Sequence, residues 1–201
     1  SYFNKAISIK PDFHKAWFTL GTSYEVDNNL DSAVVKYEKA IELNPGYTKA
    51  YSNLGNIHLI RKDYDIAREI LLTAIQIDPE YADAYLRLGV VFSEQELFED
   101  ASEQFKKSTE YDSKNHDAWF RYASTLNEID NFSEASNAAQ KCIDLKSNFG
   151  GGWYEKGIAE MKGGKKTRAL KYFEEANKDR DWRKLAQRKI DEINNPTKYE
   201  K

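Results

Sequence analysis

The apolar positions of this chain recur with a helical period. In the stretch KAWFTLGTSYEV, Trp17, Leu20, Gly21 and Tyr24 fall at i, i+3, i+4 and i+7 and so share one helix face. In LDSAVVKYEKAIEL, Leu30, Ala33, Val34, Tyr37, Ala40 and Ile41 form a second such stripe. A polar turn, Asp27-Asn28-Asn29, lies between them. The run LNPGY closes the second stripe, because proline lacks the N–H that continues a helix and its ring clashes with the preceding turn. The pattern therefore predicts a pair of amphipathic helices, each too small to bury its stripe without a neighbour.

The same pair returns along the chain. Pro11, Pro45 and Pro79 are 34 residues apart, and Ala33, Ala67, Ala101, Ala135 and Ala169 keep that interval. So do Trp17, Tyr51, Tyr85, Trp119 and Trp153, and Gly21, Gly55, Gly89 and Gly157 with Ala123 in the fourth place. Copies of this length stack on one another to complete their cores, as in a solenoid. The expected units are 14–47, 48–81, 82–115, 116–149 and 150–183. Residues 1–13 match the second half of a truncated copy, and 184–201 form a C-terminal capping helix and tail. The capping helix is expected to turn Trp182, Leu185, Ile190 and Ile193 inward. The start in mid-copy predicts that more of the protein lies N-terminal to Ser1, and the Asn-Asn-Pro stop suits a C-terminus. The fifth copy diverges most in glycine: six of the ten glycines lie at 150–164, and they are expected to loosen that copy.

Composition narrows the class. The 201 residues are 31% charged and 13% aromatic, polar for a compact globule but too aromatic for a disordered chain. No apolar run approaches the roughly 18 residues of a membrane-spanning helix, and the first residues do not resemble a signal peptide. The single cysteine, Cys142, excludes an intrachain disulfide and a cysteine-based zinc site; it stands where Ala40, Ala74 and Ala176 stand in other copies and reads as a small core filler. His14, His58 and His116 are too dispersed for a metal triad. Gly150-Gly151-Gly152 and Gly163-Gly164 lack the preceding strand and following Gly-Lys-Ser/Thr of a phosphate loop. No catalytic constellation, metal site or cofactor is expected.

These residues carry a family resemblance. Trp17, Leu20, Gly21, Tyr24, Ala33, Tyr37, Ala40 and Pro45 resemble the W-x2-L-G-x2-Y…A-x3-F…P pattern of the tetratricopeptide repeat (TPR). Five copies follow it, with His58, Ser113, Ala123, Ala139, Cys142, Ser147, Lys156 and Glu160 as departures. The resemblance implies an all-α fold, a right-handed superhelical solenoid of antiparallel helix pairs. It also implies a concave groove lined by the first helix of each copy, where a peptide or protein partner binds. The groove positions are Lys15, Phe18 and Thr22 in the first copy, Lys49, Asn53 and Asn56 in the second, and Leu86, Arg87 and Val90 in the third. Phe120, Arg121 and Asn127 follow in the fourth, and Tyr154 in the fifth. Apolar anchors beside amide and guanidinium donors suit peptide capture. Asp83 with Arg87 and Asp117 with Arg121 are also spaced as i, i+4 ion pairs on the helix surface.

The family's clamp for a chaperone C-terminal carboxylate does not fit. Its five positions read Phe18, Thr22, Asn53, Asp83 and Arg87 here, with Asp83 reversing a required charge. The expectation is thus a non-catalytic interaction module or scaffold; the alternative is a regulatory or targeting array of a larger enzyme whose catalytic part lies N-terminal to this segment. A reduced cysteine suits the cytoplasm, and a periplasmic array would have the same composition.

Charge is uneven. Residues 1–149 carry 16 basic and 24 acidic side chains, whereas 150–201 carry 14 and 9. A basic end can mark a nucleic-acid contact. Here acidic residues interrupt it and no block of five like charges occurs, which favours a solvated last helix over nucleic acid. Tyr2, Phe3 and Ile7 make end-to-end self-association through residues 1–9 a further expectation.

Overall fold

A computed structural model describes residues 9–195, and among these every regular element is a helix. The chain divides into two compact units, Ser1–Gln95 and Glu96–Lys201. The first holds α1 (His14–Val26), α2 (Leu30–Leu43), α3 (Thr48–Ile60), α4 (Tyr64–Ile77) and α5 (Ala82–Glu94). The second holds α6 (Phe98–Tyr111), α7 (His116–Glu128), α8 (Phe132–Leu145), α9 (Gly150–Lys162), α10 (Lys166–Ala176) and α11 (Arg183–Asn194). Residues 1–8 and the 196–201 tail lie outside the described residues, and with them most of the truncated half-copy and its self-association surface.

The turn inside each helix pair has a conserved geometry within the chain. Asn28, Lys62, Glu96, Asp130 and Gly164 all have positive φ, between 56° and 81°, and they are spaced by the repeat interval. The following N–H reaches back to close the helix: Asn29 to Tyr24, Asp63 to His58, Asn131 to Leu126 and Lys165 to Glu160, at 2.8–2.9 Å. Together with the N–H of Asn28 on the Glu25 carbonyl, this is a Schellman closure. Gly164 adopts it without strain, while Asn28 and Asp130 belong to the side chains that tolerate it best.

The connection between pairs does not depend on proline. Helices α6 and α8 end in the same register as α2 and α4, although serine replaces proline at 113 and 147. Two other devices recur. Carboxylate or amide oxygens of Asn44, Asp78 and Asp112 accept the N–H two residues on, at 3.1–3.2 Å. The large aromatic of the next helix then reaches back six residues to a carbonyl: Trp17 to Pro11, Tyr85 to Pro79, Trp119 to Ser113 and Trp153 to Ser147, at 2.8–3.0 Å. Any residue at 113 or 147 supplies that carbonyl, which explains why proline is dispensable there.

Within a pair, close approach sets the packing. A Cβ on Gly21 would lie 2.7 Å from Tyr37, one on Gly55 2.7 Å from Leu71, and one on Gly157 2.6 Å from Phe173. The fourth pair has Ala123 where the others have glycine, and it also has Ala139 where they have Tyr37, Leu71 or Phe173. Both alanines are fully buried. By the register that sets Gly21 against Tyr37, Ala123 on α7 corresponds to Ala139 on α8, a pairing in which the smaller partner would leave room for the extra methyl. In the first unit this contact anchors a cluster of Ala33, Tyr37, Leu54 and Ile57 and another of Ala67, Leu71, Leu88 and Val91.

The fifth pair differs from expectation. Gly150, Gly151 and Gly152 lie inside α9 and are buried. A Cβ at Gly151 would lie 2.5 Å from Phe149 and 2.8 Å from Trp182, and one at Gly150 2.6 Å from Asp179. The glycine run makes room for these side chains. Asp179 also accepts the Gly150 N–H at 2.7 Å. The capping helix begins one residue after Trp182, so that indole sits at the helix entry and not along its inner face. Leu185, expected inward, is 46% exposed, and Ala186 is the residue of α11 that is fully buried.

If compensation governs the fourth pair, Ala139→Phe alone should destabilise the protein by about 1–3 kcal/mol through overpacking. Adding Ala123→Gly should recover most of that loss. Urea unfolding of the two single variants and the double variant measures the coupling; strictly additive effects would show that the two positions do not share space.

Candidate functional site

The expected binding positions fall on α1, α3 and α5 in the first unit and on α7 and α9 in the second. Each unit is taken separately.

In the first unit, Lys15 and Lys49 are solvent-exposed, whereas Phe18, Thr22, Asn53, Asn56, Leu86, Arg87 and Val90 are half-buried. Phe18 packs edge-on to Tyr47 with ring centroids 5.2 Å apart and lies 5.5 Å from Tyr37. The Thr22 hydroxyl donates to the Phe18 carbonyl at 3.0 Å. A polar network joins α1, α2 and α3. The Tyr37 hydroxyl donates to Glu25 Oε2 at 2.6 Å, Asn53 Nδ2 donates to the Tyr37 oxygen at 3.1 Å, and Asn56 Nδ2 donates to Glu25 Oε1 at 3.3 Å. Burial, reinforced by Glu25, pushes the Tyr37 phenol up to about 12, so it remains a donor at any physiological pH.

A second chain joins α3 to α5. Ser52 donates to Asp83 Oδ2 at 2.6 Å, and Arg87 Nε donates to the same oxygen at 2.8 Å. Arg87 is thus held by its own helix neighbour, as the i, i+4 spacing allows. Leu86 and Val90 flank it.

The second unit is different. Phe120 meets Phe149 at 5.2 Å and Trp182 at 5.5 Å, both edge-on, and Tyr154 meets Trp182 at 5.3 Å and Phe173 at 5.5 Å. The indole from the entry of α11 therefore rests on both expected apolar anchors. Arg121 Nε binds Asp117 at 2.8 Å. Asn127 corrects the expectation: it is 1% exposed and does not reach a binding surface. Its Nδ2 donates to the Glu155 carbonyl at 3.0 Å and to Glu155 Oε2 at 2.9 Å, and its own carbonyl accepts Lys162 Nζ at 2.8 Å.

Glu155 and Glu160 are buried acids of this unit, and the Glu155 carboxyl shifts strongly. Burial pushes its carboxyl up to about 7, against the opposing hydrogen bonds from Asn127 and Ser124; Glu128 adds repulsion and Lys162 attraction. The two charged departures from the family pattern are also matched. Lys156 Nζ donates to Gln140 and lies 4.9 Å from the Tyr172 ring centroid, while Glu160 pairs with Lys165 and Arg168 at 3.5 and 3.4 Å.

Sequence reasoning passed over one set of residues. Tyr47, Tyr81 and Phe149 occupy the last position of their copies, and Tyr47 and Phe149 pack on Phe18 and Phe120. Their spacing was the available signal. Burial, helped by Asp83, pushes the Tyr81 phenol up to about 12.

The remaining reactive side chains are engaged or inert. His14 lies 3.3 Å from Asn44, His58 3.2 Å from Asp63 and His116 3.3 Å from Lys146. Burial pushes the fully enclosed Cys142 thiol up to about 12, which suppresses the nucleophilic thiolate. Among the described residues no group of three or more His, Cys, Asp or Glu side chains is placed to hold a metal ion. No helix among them is long and apolar enough to cross a membrane.

The fold and these faces define a class: an all-helical array of repeated hairpins, a helical solenoid. Family models described as tetratricopeptide repeat match residues 47–114 and 116–149, and one described as TPR repeat matches 27–60. The chain belongs to the tetratricopeptide repeat family. No curated protein matches the sequence. Among solved structures it is similar to YrrB, "a TPR protein with an unusual peptide-binding site", at 21% identity and a TM-score of 0.76, covering 94% of this chain and 97% of that one. PilF of Pseudomonas aeruginosa has 19% identity and a TM-score of 0.77, with 88% and 80% covered. The Cut9-Hcn1 hetero-tetramer of the APC/C gives 18% identity and 0.79, covering 96% of this chain but 38% of that one.

Glu155 generates a pH signature. Its folded pKa lies above its ordinary value of 4.5, so the folded state binds the extra proton between about 4.5 and 7. The contribution is full below pH 4.5 and is lost as pH rises through about 7, on the order of 3 kcal/mol in total. Glu155→Gln should remove this term: the stability difference between variant and wild type, from urea unfolding at pH 5 to 8, should grow in the variant's favour. A difference independent of pH would contradict it.

Proposed function

We propose that this chain is a non-catalytic protein-interaction module that binds an extended peptide or protein segment on the α1, α3 and α5 face of its first unit. The observation that carries the reading is the combination present there. Half-buried Phe18 on α1 and Leu86 and Val90 on α5 accompany the amides of Asn53 and Asn56 on α3, which the Glu25–Tyr37 network holds in fixed orientation. Apolar anchors with pre-oriented amide donors bind a segment's side chains and its backbone at little cost in ordering. Lys15 and Lys49 at the exposed edge add attraction for an acidic residue in that segment.

On the second unit, Trp182 already covers Phe120 and Tyr154, so those anchors support its own capping segment. The tetratricopeptide repeat is a non-catalytic repeat module, and the peptide-binding site of YrrB and the multi-protein setting of Cut9-Hcn1 agree with this use of the fold.

The test is a selection from a random peptide display library on the immobilised full chain. Selected peptides should bind at least about tenfold more weakly to Phe18→Ala and to Asn53→Ala with Asn56→Ala, each losing on the order of 1.4 kcal/mol or more. Circular dichroism verifies that the variants stay folded. Peptides that bind all variants equally, or no peptides at all, would refute this assignment.

A further inference from the structure

The basic C-terminal part of the sequence acquires a definite shape. Between the end of α10 and the outer face of α11 lies an open depression of about 570 Å³. Among the described residues, Arg180, Arg183, Lys184 and Arg188 line it, with Asp191 as the sole acidic lining residue. We infer that this depression is a binding site for a carboxylate-rich segment of a partner protein, a site separate from the α1, α3 and α5 face.

The cations of this depression repel one another. Lys184 and Arg188 stand one turn apart on α11, about 6 Å along its axis, a spacing at which like charges disfavour the helix. Nearby cations are internally compensated: Lys178 binds Glu175 at 2.6 Å and Lys189 binds Glu192 at 2.8 Å. Arg180, Arg183, Lys184 and Arg188 have no such partner among the described residues. Arg183 Nε donates to the Asn177 carbonyl at 3.2 Å, which fixes its guanidinium at the wall and leaves its remaining donors available. Asp191 accepts Gln187 at 2.9 Å. A cluster that repels itself in the free protein is relieved by an external anion.

The lining also selects the kind of anion. Arg183, Lys184 and Arg188 span about a turn and a half of α11 and Arg180 stands in the turn before it, as separate single charges, which matches a run of Asp and Glu side chains better than one phosphomonoester centre. Guanidinium groups pair with carboxylates in two-point geometry. Among the described residues no aromatic side chain lines the depression, so they offer no stacking platform of the kind that single-stranded nucleic acid requires.

The probe is a fluorescein-labelled hexaglutamate peptide, with anisotropy read against the full chain at about 50 and 300 mM salt. Wild type should bind, more weakly at the higher salt. The triple variant Arg180→Gln, Lys184→Gln, Arg188→Gln should bind at least about tenfold more weakly, because the removed charges are the site. All three residues are exposed, so the helix persists, as circular dichroism would verify. A control with the same charge change elsewhere, Lys106→Gln, Lys114→Gln, Lys141→Gln, should bind within about twofold of wild type. Absence of wild-type binding, or equal loss in the control, overturns the inference. So does tighter binding of a singly phosphorylated peptide or of oligo-dT. Sedimentation closes the remaining route: self-association of wild type that the triple variant abolishes would make a second copy the occupant and overturn the partner assignment.

Discussion

The contact on which the first, second and fifth helix pairs depend is the approach of a small residue on the first helix to a large side chain on the second. Gly21 faces Tyr37, Gly55 faces Leu71, and Gly157 faces Phe173, each at a separation with no room for a methyl group. That proximity lets Tyr37 extend past α1 and present its hydroxyl to Glu25 and Asn53. The same residue therefore fills the core and orients the polar network of the candidate face. Packing and recognition are coupled through one ring.

This coupling also explains what the sequence made visible. Helix faces, turn positions and the alternation of pairs follow from a repeat whose small and large positions keep the 34-residue interval, and the helix starts at His14, Thr48, Ala82, His116 and Gly150 observe it. Position-by-position comparison was less informative where two changes act together. Ala123 and Ala139 look like separate departures from the pattern, yet the repeat register that joins Gly21 to Tyr37 joins them to each other. The apolar slots taken by Lys156 and Glu160 look like defects, yet Gln140, Arg168 and Lys165 satisfy them from sequence-distant positions. Periodicity reports a residue's own environment; it does not report which distant partner completes that environment.

The candidate site shows the same limit more sharply. Phe18, Asn53, Asn56, Leu86 and Val90 fall on the first helices as the pattern required. Asn127 does not serve that face, because the buried Glu155 needs a donor and Asn127 is the amide within reach. Gly150, Gly151 and Gly152 gave no sign in sequence of their role, since the indole they accommodate arrives from Trp182, about thirty residues later. With that indole in place, the two units carry different surfaces on equivalent helices: an open one with amides and aliphatic anchors, and one closed over aromatic rings. A repeat array thus gains distinct surfaces from its end effects.

The contact between small and large residues can be tested against a competing term of known sign. Replacing glycine by alanine inside an exposed helix stabilises it by about 1 kcal/mol. At Gly21 and Gly157 the added methyl would enter the rings of Tyr37 and Phe173, which have no flexible end to move aside. Denaturant unfolding of Gly21→Ala and Gly157→Ala measures the balance. The account predicts a net loss of about 1 kcal/mol or more in each, because the overlap outweighs the helical gain. A gain in stability at both positions would contradict it.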